Sequence, residues 1–184
     1  MRTVVRTKSK SIFQMHPKYY PHFVADIPQF MKDSDRIVGG QLAPSPIPWQ
    51  IAVQFGCGGT ILDACTVLSA AHCLEEHGNH MAVGHELRAG STTGGSGGQV
   101  RKVFQIIQNE DSPYTGYGGN DFVIFKLDHP LELNEDVQPA CLPTSDFAPE
   151  YDQAIGDRCF TSGWGHHYFG EMILHEDLSY VRVL

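Results

Sequence analysis

No run of apolar residues in this chain is long enough to cross a bilayer as a helix. No sustained helical period is visible beyond about one turn after Cys73, which argues against a helical bundle. The first residues, "MRTVVRTKSKSIFQMHPKYYPHF", are basic but hold no apolar core of the kind that marks a secretory signal. Basic charge is scarce beyond them. Residues 1–36 hold seven of the 13 Lys/Arg against three Asp/Glu, a charge of +4. Residues 37–184 hold six against eighteen, a charge of −12. An acidic body of that kind repels phosphates, so a nucleic-acid partner is not expected. An even complement of cysteines is missing too. Five cysteines leave one unpaired, or paired to another chain, if the protein is oxidised.

What is present suits strands joined by turns. With 41% hydrophobic residues over 184 positions, the chain can build a core, and 19 Gly with 11 Pro punctuate it often. "APSPIPWQIAVQF" is a proline-punctuated entry into an alternating apolar segment. "GGTILDACTVLSAA" contains two short strand-like runs. "HELRAG" and "QVRKVFQIIQ" flank "STTGGSGG" (91–98) as strand, loop, strand, and the Gly/Ser run reads as a mobile hairpin loop. "DFVIFKLD", "RCFTSGWG" and "LSYVRVL" supply further strands. The pattern predicts an all-β barrel or sandwich. Residues 1–35 show no sustained period of two or 3.6 and differ in charge from the rest of the chain, as a leader would.

Seven short motifs stand in order: "RIVGG" (36–40), "PWQ" (48–50), "CGGTIL" (57–62), "VLSAAHC" (67–73), "NDFVIFKL" (120–127), "VQPACLP" (137–143) and "SGWG" (162–165). Together they resemble the trypsin/chymotrypsin-type serine peptidases, over about residues 36–184. The resemblance implies a double β-barrel, with the first barrel complete at about residues 37–135 and the second only partly present after it. It divides the chain into a leader or propeptide at 1–36 and a C-terminally incomplete peptidase domain at 37–184. An incomplete barrel would leave strand edges and apolar surface exposed and limit solubility.

The resemblance also assigns roles. His72 of "AAHC" takes the position of the general base, a task suited to an imidazole, whose unperturbed pKa of about 6.5 lets it take and return protons near neutrality. Asp121 of "NDFVIFKL" takes the position of the carboxylate that orients that imidazole. The nucleophile does not follow. The family's serine lies in a "GDSGG" downstream of the aspartate, and no such motif occurs in these 184 residues. Ser96, at the centre of "GGSGG", lies upstream of Asp121 in the expected hairpin loop, and Ser162 matches a structural position; neither is expected to be the nucleophile. The oxyanion-hole amides and the side-chain specificity pocket are expected to be missing with it, so the chain alone is expected to be inactive. Arg36–Ile37 matches the activation bond of a zymogen, cut by another protease. Cys57 and Cys73 match the disulfide that flanks the histidine. Cys141 and Cys159 match positions whose usual partners are not found, Cys65 matches none, and a pairing of Cys65 with Cys141 or Cys159 stays open. The implied partners are protein or peptide substrates and an activating protease, with neither nucleic acid nor membrane, and the implied location is extracellular. No cofactor is expected. No metal is expected either: His72, Cys73, His77, His80 and His85 lack zinc-site spacing, and 91–98 offers calcium no carboxylate. A second function class stays open, a non-catalytic peptidase homologue that acts by binding.

Overall fold

The computed structural model describes residues 3–7, 40–53, 56–74, 82–108, 121–142, 158–165 and 176–183. Ten strands and one short 3₁₀ turn occur among them. In chain order these are β1 (Thr3–Thr7), β2 (Gln41–Leu42), β3 (Gln50–Val53), β4 (Cys57–Asp63) and β5 (Thr66–Ser69), then the 3₁₀ turn Ala71–Leu74, β6 (Glu86–Ala89), β7 (Gln99–Gln108), β8 (Val123–Leu127), β9 (Arg158–Gly163) and β10 (Ser179–Val183). The fold is all-β, as the turn-punctuated sequence predicts.

Six strands close into a barrel in the order β3-β4-β5-β8-β7-β6, every pair antiparallel, with β6 returning to β3. Closure removes both sheet edges. The interior follows from period-two alternation. On β8, Val123, Phe125 and Leu127 are buried while Ile124 and Lys126 between them are half-exposed. They meet Ile51, Ile61, Val67, Leu87 and Val103 from the other five strands. Two bulges bend the wall. One falls between Ile61 and Asp63 on β4. The other falls between Val103 and Gln105 on β7, where the extra residue, Phe104, is turned out to solvent at 66% exposure. At Gly59 a side chain would not fit: a Cβ there would lie 2.9 Å from both Ile51 Cγ2 and Val67 Cγ1.

A second sheet runs β1-β9-β10-β2. The strands expected from "RCFTSGWG" and "LSYVRVL" are present as β9 and β10, paired antiparallel in register from Ser179 opposite Gly163 to Val183 opposite Cys159. The other neighbour of β9 comes from the far end of the chain. β1, inside the stretch read as a leader, lies antiparallel to β9 with Thr3 opposite Ser162 and Thr7 opposite Arg158. Four of its five residues are β-branched, which suits an extended backbone.

A separate apolar cluster fills the space between the two sheets. Ala43, Ile47, Trp49 and Ala52 pack there with Phe160, Trp164, Leu178 and Tyr180. All four residues of β3 are buried, because Ile51 and Val53 face the barrel interior while Ala52 faces this second cluster. The Gly/Ser segment 91–98 also joins the two units. The amide of Leu178 donates to Thr92 O at 2.6 Å, Trp164 Nε1 donates to the same oxygen at 3.1 Å, and Gly94 N donates to Glu176 O at 3.1 Å. Within the segment, Ser91 Oγ donates to Ser96 O and Arg88 to Gly97 O. Read from sequence as a mobile hairpin loop, it is hydrogen-bonded along its length.

Candidate active site

The polypeptide after β5 cannot continue the strand: Ala70 turns it into the 3₁₀ turn that carries His72, and Cys73 N donates back to Ala70 O at 3.2 Å. Ala70 and Ala71 are buried at 3% and 0% exposure, so the turn sits directly on the barrel wall with no side chain to lift it away. Two further contacts pin it. Cys73 is disulfide-bonded to Cys57 at the start of β4, with Cα atoms 6.1 Å apart. Ser69, the last residue of β5 and fully buried, donates from its hydroxyl to Gly58 O at 2.8 Å. Sequence reasoning passes over Ser69. Its hydroxyl, set in an otherwise apolar run entering a turn, is the available signal.

Asp121 arrives from the opposite direction, two residues before the buried Val123 of β8. β5 and β8 are neighbours, with Ser69 opposite Val123. That register brings the residues flanking the two strand ends together although 49 positions separate them. Both carboxylate oxygens are used. Oδ1 accepts the backbone N–H of His72 at 2.9 Å, and Oδ2 lies 2.7 Å from His72 Nδ1. Two contacts to one residue fix the carboxylate and the ring together. With Nδ1–H donated to a carboxylate, the neutral imidazole carries its lone pair on Nε2, the atom that can accept a proton.

Burial by itself would push the Asp121 carboxyl up. The side-chain hydrogen bond from His72, then its backbone N–H and its charge, with a further bond from the Ala71 amide, outweigh that and hold it below its ordinary value of 3.8. It is therefore a carboxylate at neutral pH. The His72 side chain is 38% exposed and that of Asp121 26%, so the histidine is open to solvent while its orienting partner is more sheltered.

The other serines considered are engaged elsewhere. Ser96 Oγ is 2.9 Å from Thr93 Oγ1 within the 91–98 segment, and buried Ser162 donates to Gln50 Oε1 at 2.8 Å. Among the described residues no hydroxyl is hydrogen-bonded to the His72 ring. Ligand atoms of Cys57, His72 and Cys73 lie within 4.8 Å of one another, but two of the three are the bridged sulfurs, which offer no thiolate to a metal. His85 accepts the Ala82 amide at Nδ1. Cys65 is a free thiol, so it is not bridged to Cys141 or Cys159. Arg36, Ile37, His77 and His80 lie outside the described residues.

This geometry can orient an imidazole, fix its tautomer and stabilise the imidazolium when a proton arrives. A family model described as Trypsin matches residues 37–183. The chain is 34% identical over 157 residues to Trypsin alpha of Drosophila melanogaster and equally so to Trypsin alpha of Drosophila erecta. In each case the match covers 80% of this chain and 56% of the relative, so the chain spans little more than half the length of these proteins. A crystal structure of a scabies mite inactivated protease paralogue superposes with a TM-score of 0.62 at 24% identity, over 79% of this chain and 61% of that one; at that identity the likeness speaks for the fold. With the barrel, the histidine turn and its disulfide read together with a family match running from Ile37 nearly to the end of the sequence, the chain belongs to the trypsin family.

Proposed function

We propose that this chain carries the acid–base half of a serine-type endopeptidase. His72 is the general base, taking the proton of an attacking serine hydroxyl at Nε2 and returning it to the leaving amine. Asp121 holds the ring and stabilises its cation. The observation that carries this reading is the two-point contact of the Asp121 carboxylate on the backbone and ring of His72. Residues 1–36 are a propeptide, the peptidase domain runs from 37 to 184, and cleavage between Arg36 and Ile37 by another protease is the activating step. Protein or peptide chains are the substrates. An oxidising, extracellular setting agrees with the Cys57–Cys73 bridge.

An imidazole can activate only a hydroxyl within reach. None of the described serines is bonded to His72 and the sequence holds no "GDSGG", so these 184 residues do not hydrolyse peptides by themselves. A second reading is a non-catalytic homologue that binds without cutting, against which the intact His72–Asp121 pair counts. Transcript sequence beyond the codon for Leu184 separates the two: a downstream "GDSGG" supports the endopeptidase, and an immediate stop supports the binding protein. A fluorophosphonate probe, which labels activated serines, is expected to leave the purified chain unlabelled. Labelling that is lost in His72→Ala would contradict the inactivity of the chain.

A further inference from the structure

Three side chains that can ligate a metal meet at the histidine turn. The ligand atoms of Cys57, His72 and Cys73 lie within 4.8 Å of one another. Around a tetrahedral zinc, with Zn–S and Zn–N bonds of about 2.3 and 2.0 Å, neighbouring ligand atoms stand about 3.5–3.8 Å apart. The cluster is therefore close in size to a site of two cysteines and one histidine. Sequence spacing hides it, because Cys57 heads β4 while His72 and Cys73 follow β5.

The surroundings suit a metal. A zinc-bound histidine characteristically donates its other ring N–H to a carboxylate, which fixes the tautomer and makes the ring a better ligand. His72 has that partner, with Nδ1 2.7 Å from Asp121 Oδ2, and Nε2 is left as the ligating atom. The partly exposed His72 ring gives an ion a way in and a water a place as the fourth ligand. Cys57 and Cys73 are buried, and two thiolates there are costly without a cation beside them.

The disulfide is not the sole support of this arrangement. Cys57 is paired with Val53 of β3, and the carbonyl of the next residue, Gly58, accepts the Ser69 hydroxyl. Cys73 N donates to Ala70 O, and His72 N donates to Asp121 Oδ1. These contacts keep the three side chains together when the bridge opens. While it is closed, the sulfurs are bonded to each other and cannot ligate.

We propose that Cys57, Cys73 and His72 form a redox-conditional zinc site, closed by the disulfide in the oxidised chain and by Zn²⁺ in the reduced one. A dithiol reductant passes two electrons and two protons to the bridge, leaving two protein thiols and a cyclic disulfide. Zinc then takes the place of the two thiol protons, which go to solvent, and binds the Nε2 lone pair. That lone pair is the one the general base would use, so the zinc form has no base to offer. This consequence rests on the function proposed above; the metal site does not.

The zinc affinity of the full chain, measured by competition with a chromophoric chelator, tests the site. Cys65→Ser, Cys141→Ser and Cys159→Ser are introduced together, so that the two bridge cysteines are the only ones left. The oxidised protein is compared with protein reduced by a phosphine and then freed of it without oxygen. The reduced form should bind one zinc, about tenfold or more tighter than the oxidised form. Cobalt in its place should give the thiolate charge-transfer absorption of a tetrahedral site. In the reduced form Asp121→Asn should weaken zinc binding about 10–100-fold, and His72→Ala at least as much. Equal affinity in the two redox states, or binding that His72→Ala leaves unchanged, would overturn the proposal. Hydrogen exchange at Val123–Leu127 reports on the barrel. If reduction alone opens it, zinc should restore protection, and failure to do so would also overturn the site. No arm measures peptide hydrolysis, so a missing zinc site leaves the general-base reading standing.

Discussion

Asp121 and Ser69 show how much of the histidine's placement rests on single atoms. Because the Asp121 carboxyl is held below its ordinary 3.8 in the folded chain, it binds a proton less readily there than when unfolded. It therefore contributes stability that is present above pH ~4 and is lost as pH falls through the depressed folded value. Asp128 works in the same direction: the Lys102 amide, joined by His129, holds its exposed carboxyl low just past the end of β8. Thermal unfolding followed between about pH 6 and 3 should show the melting temperature falling through the acid range, with a smaller fall in Asp121→Asn, which has no proton to take up. Ser69→Ala removes a buried donor and strands the Gly58 carbonyl, and should lower stability by about 1–3 kcal/mol in a urea titration. The sequence makes His72 and Asp121 legible because each sits in a distinctive local motif. It does not make Ser69 legible, because the role of that hydroxyl is defined by a carbonyl eleven residues earlier, on a different strand.

Among the elements, the barrel strands are the readable part. β8 alternates buried and half-exposed residues over "VIFKL", and β4 with β5 emerge from "GGTILDACTVLS" where the two apolar runs lie. Local pattern is enough when a strand has one face inside. β1 escapes a reading of the sequence for the converse reason. Its five residues are too few to establish a period, its neighbours are basic, and its partner lies far along the chain at Arg158–Ser162. The 91–98 segment is the hairpin loop between β6 and β7 that its glycine and serine suggest, and its Thr92 O also receives both the Leu178 amide and the Trp164 indole from the second unit, contacts no local pattern foretells. The Cys57–Cys73 bridge joins the head of β4 to the 3₁₀ turn across 16 positions. A loop of that length contributes about 3 kcal/mol in the chain-entropy description. The double variant Cys57→Ala/Cys73→Ala should lose about that much stability in a guanidinium titration. Peptide mapping should find these two cysteines joined in the native chain.

For the whole molecule, the arrangement is two apolar clusters sharing one strand. The barrel cluster is closed on all sides, whereas the second lies between the barrel and a four-stranded sheet whose outer members are β1 and the two-residue β2. Leu42 on β2 and Leu142 after the barrel are 60% and 56% exposed. The acid–base pair belongs to the closed unit. Its two residues meet because β5 and β8 are adjacent staves of one barrel, and that adjacency needs nothing from the second sheet. The most direct measurement of this claim is the proton NMR spectrum of the His72 ring in the folded 184-residue chain. A hydrogen bond to a carboxylate should carry the Nδ1–H resonance far downfield, and Asp121→Asn should abolish that signal. A His72 ring with no downfield proton, or one that Asp121→Asn leaves in place, would show that the two groups are not joined.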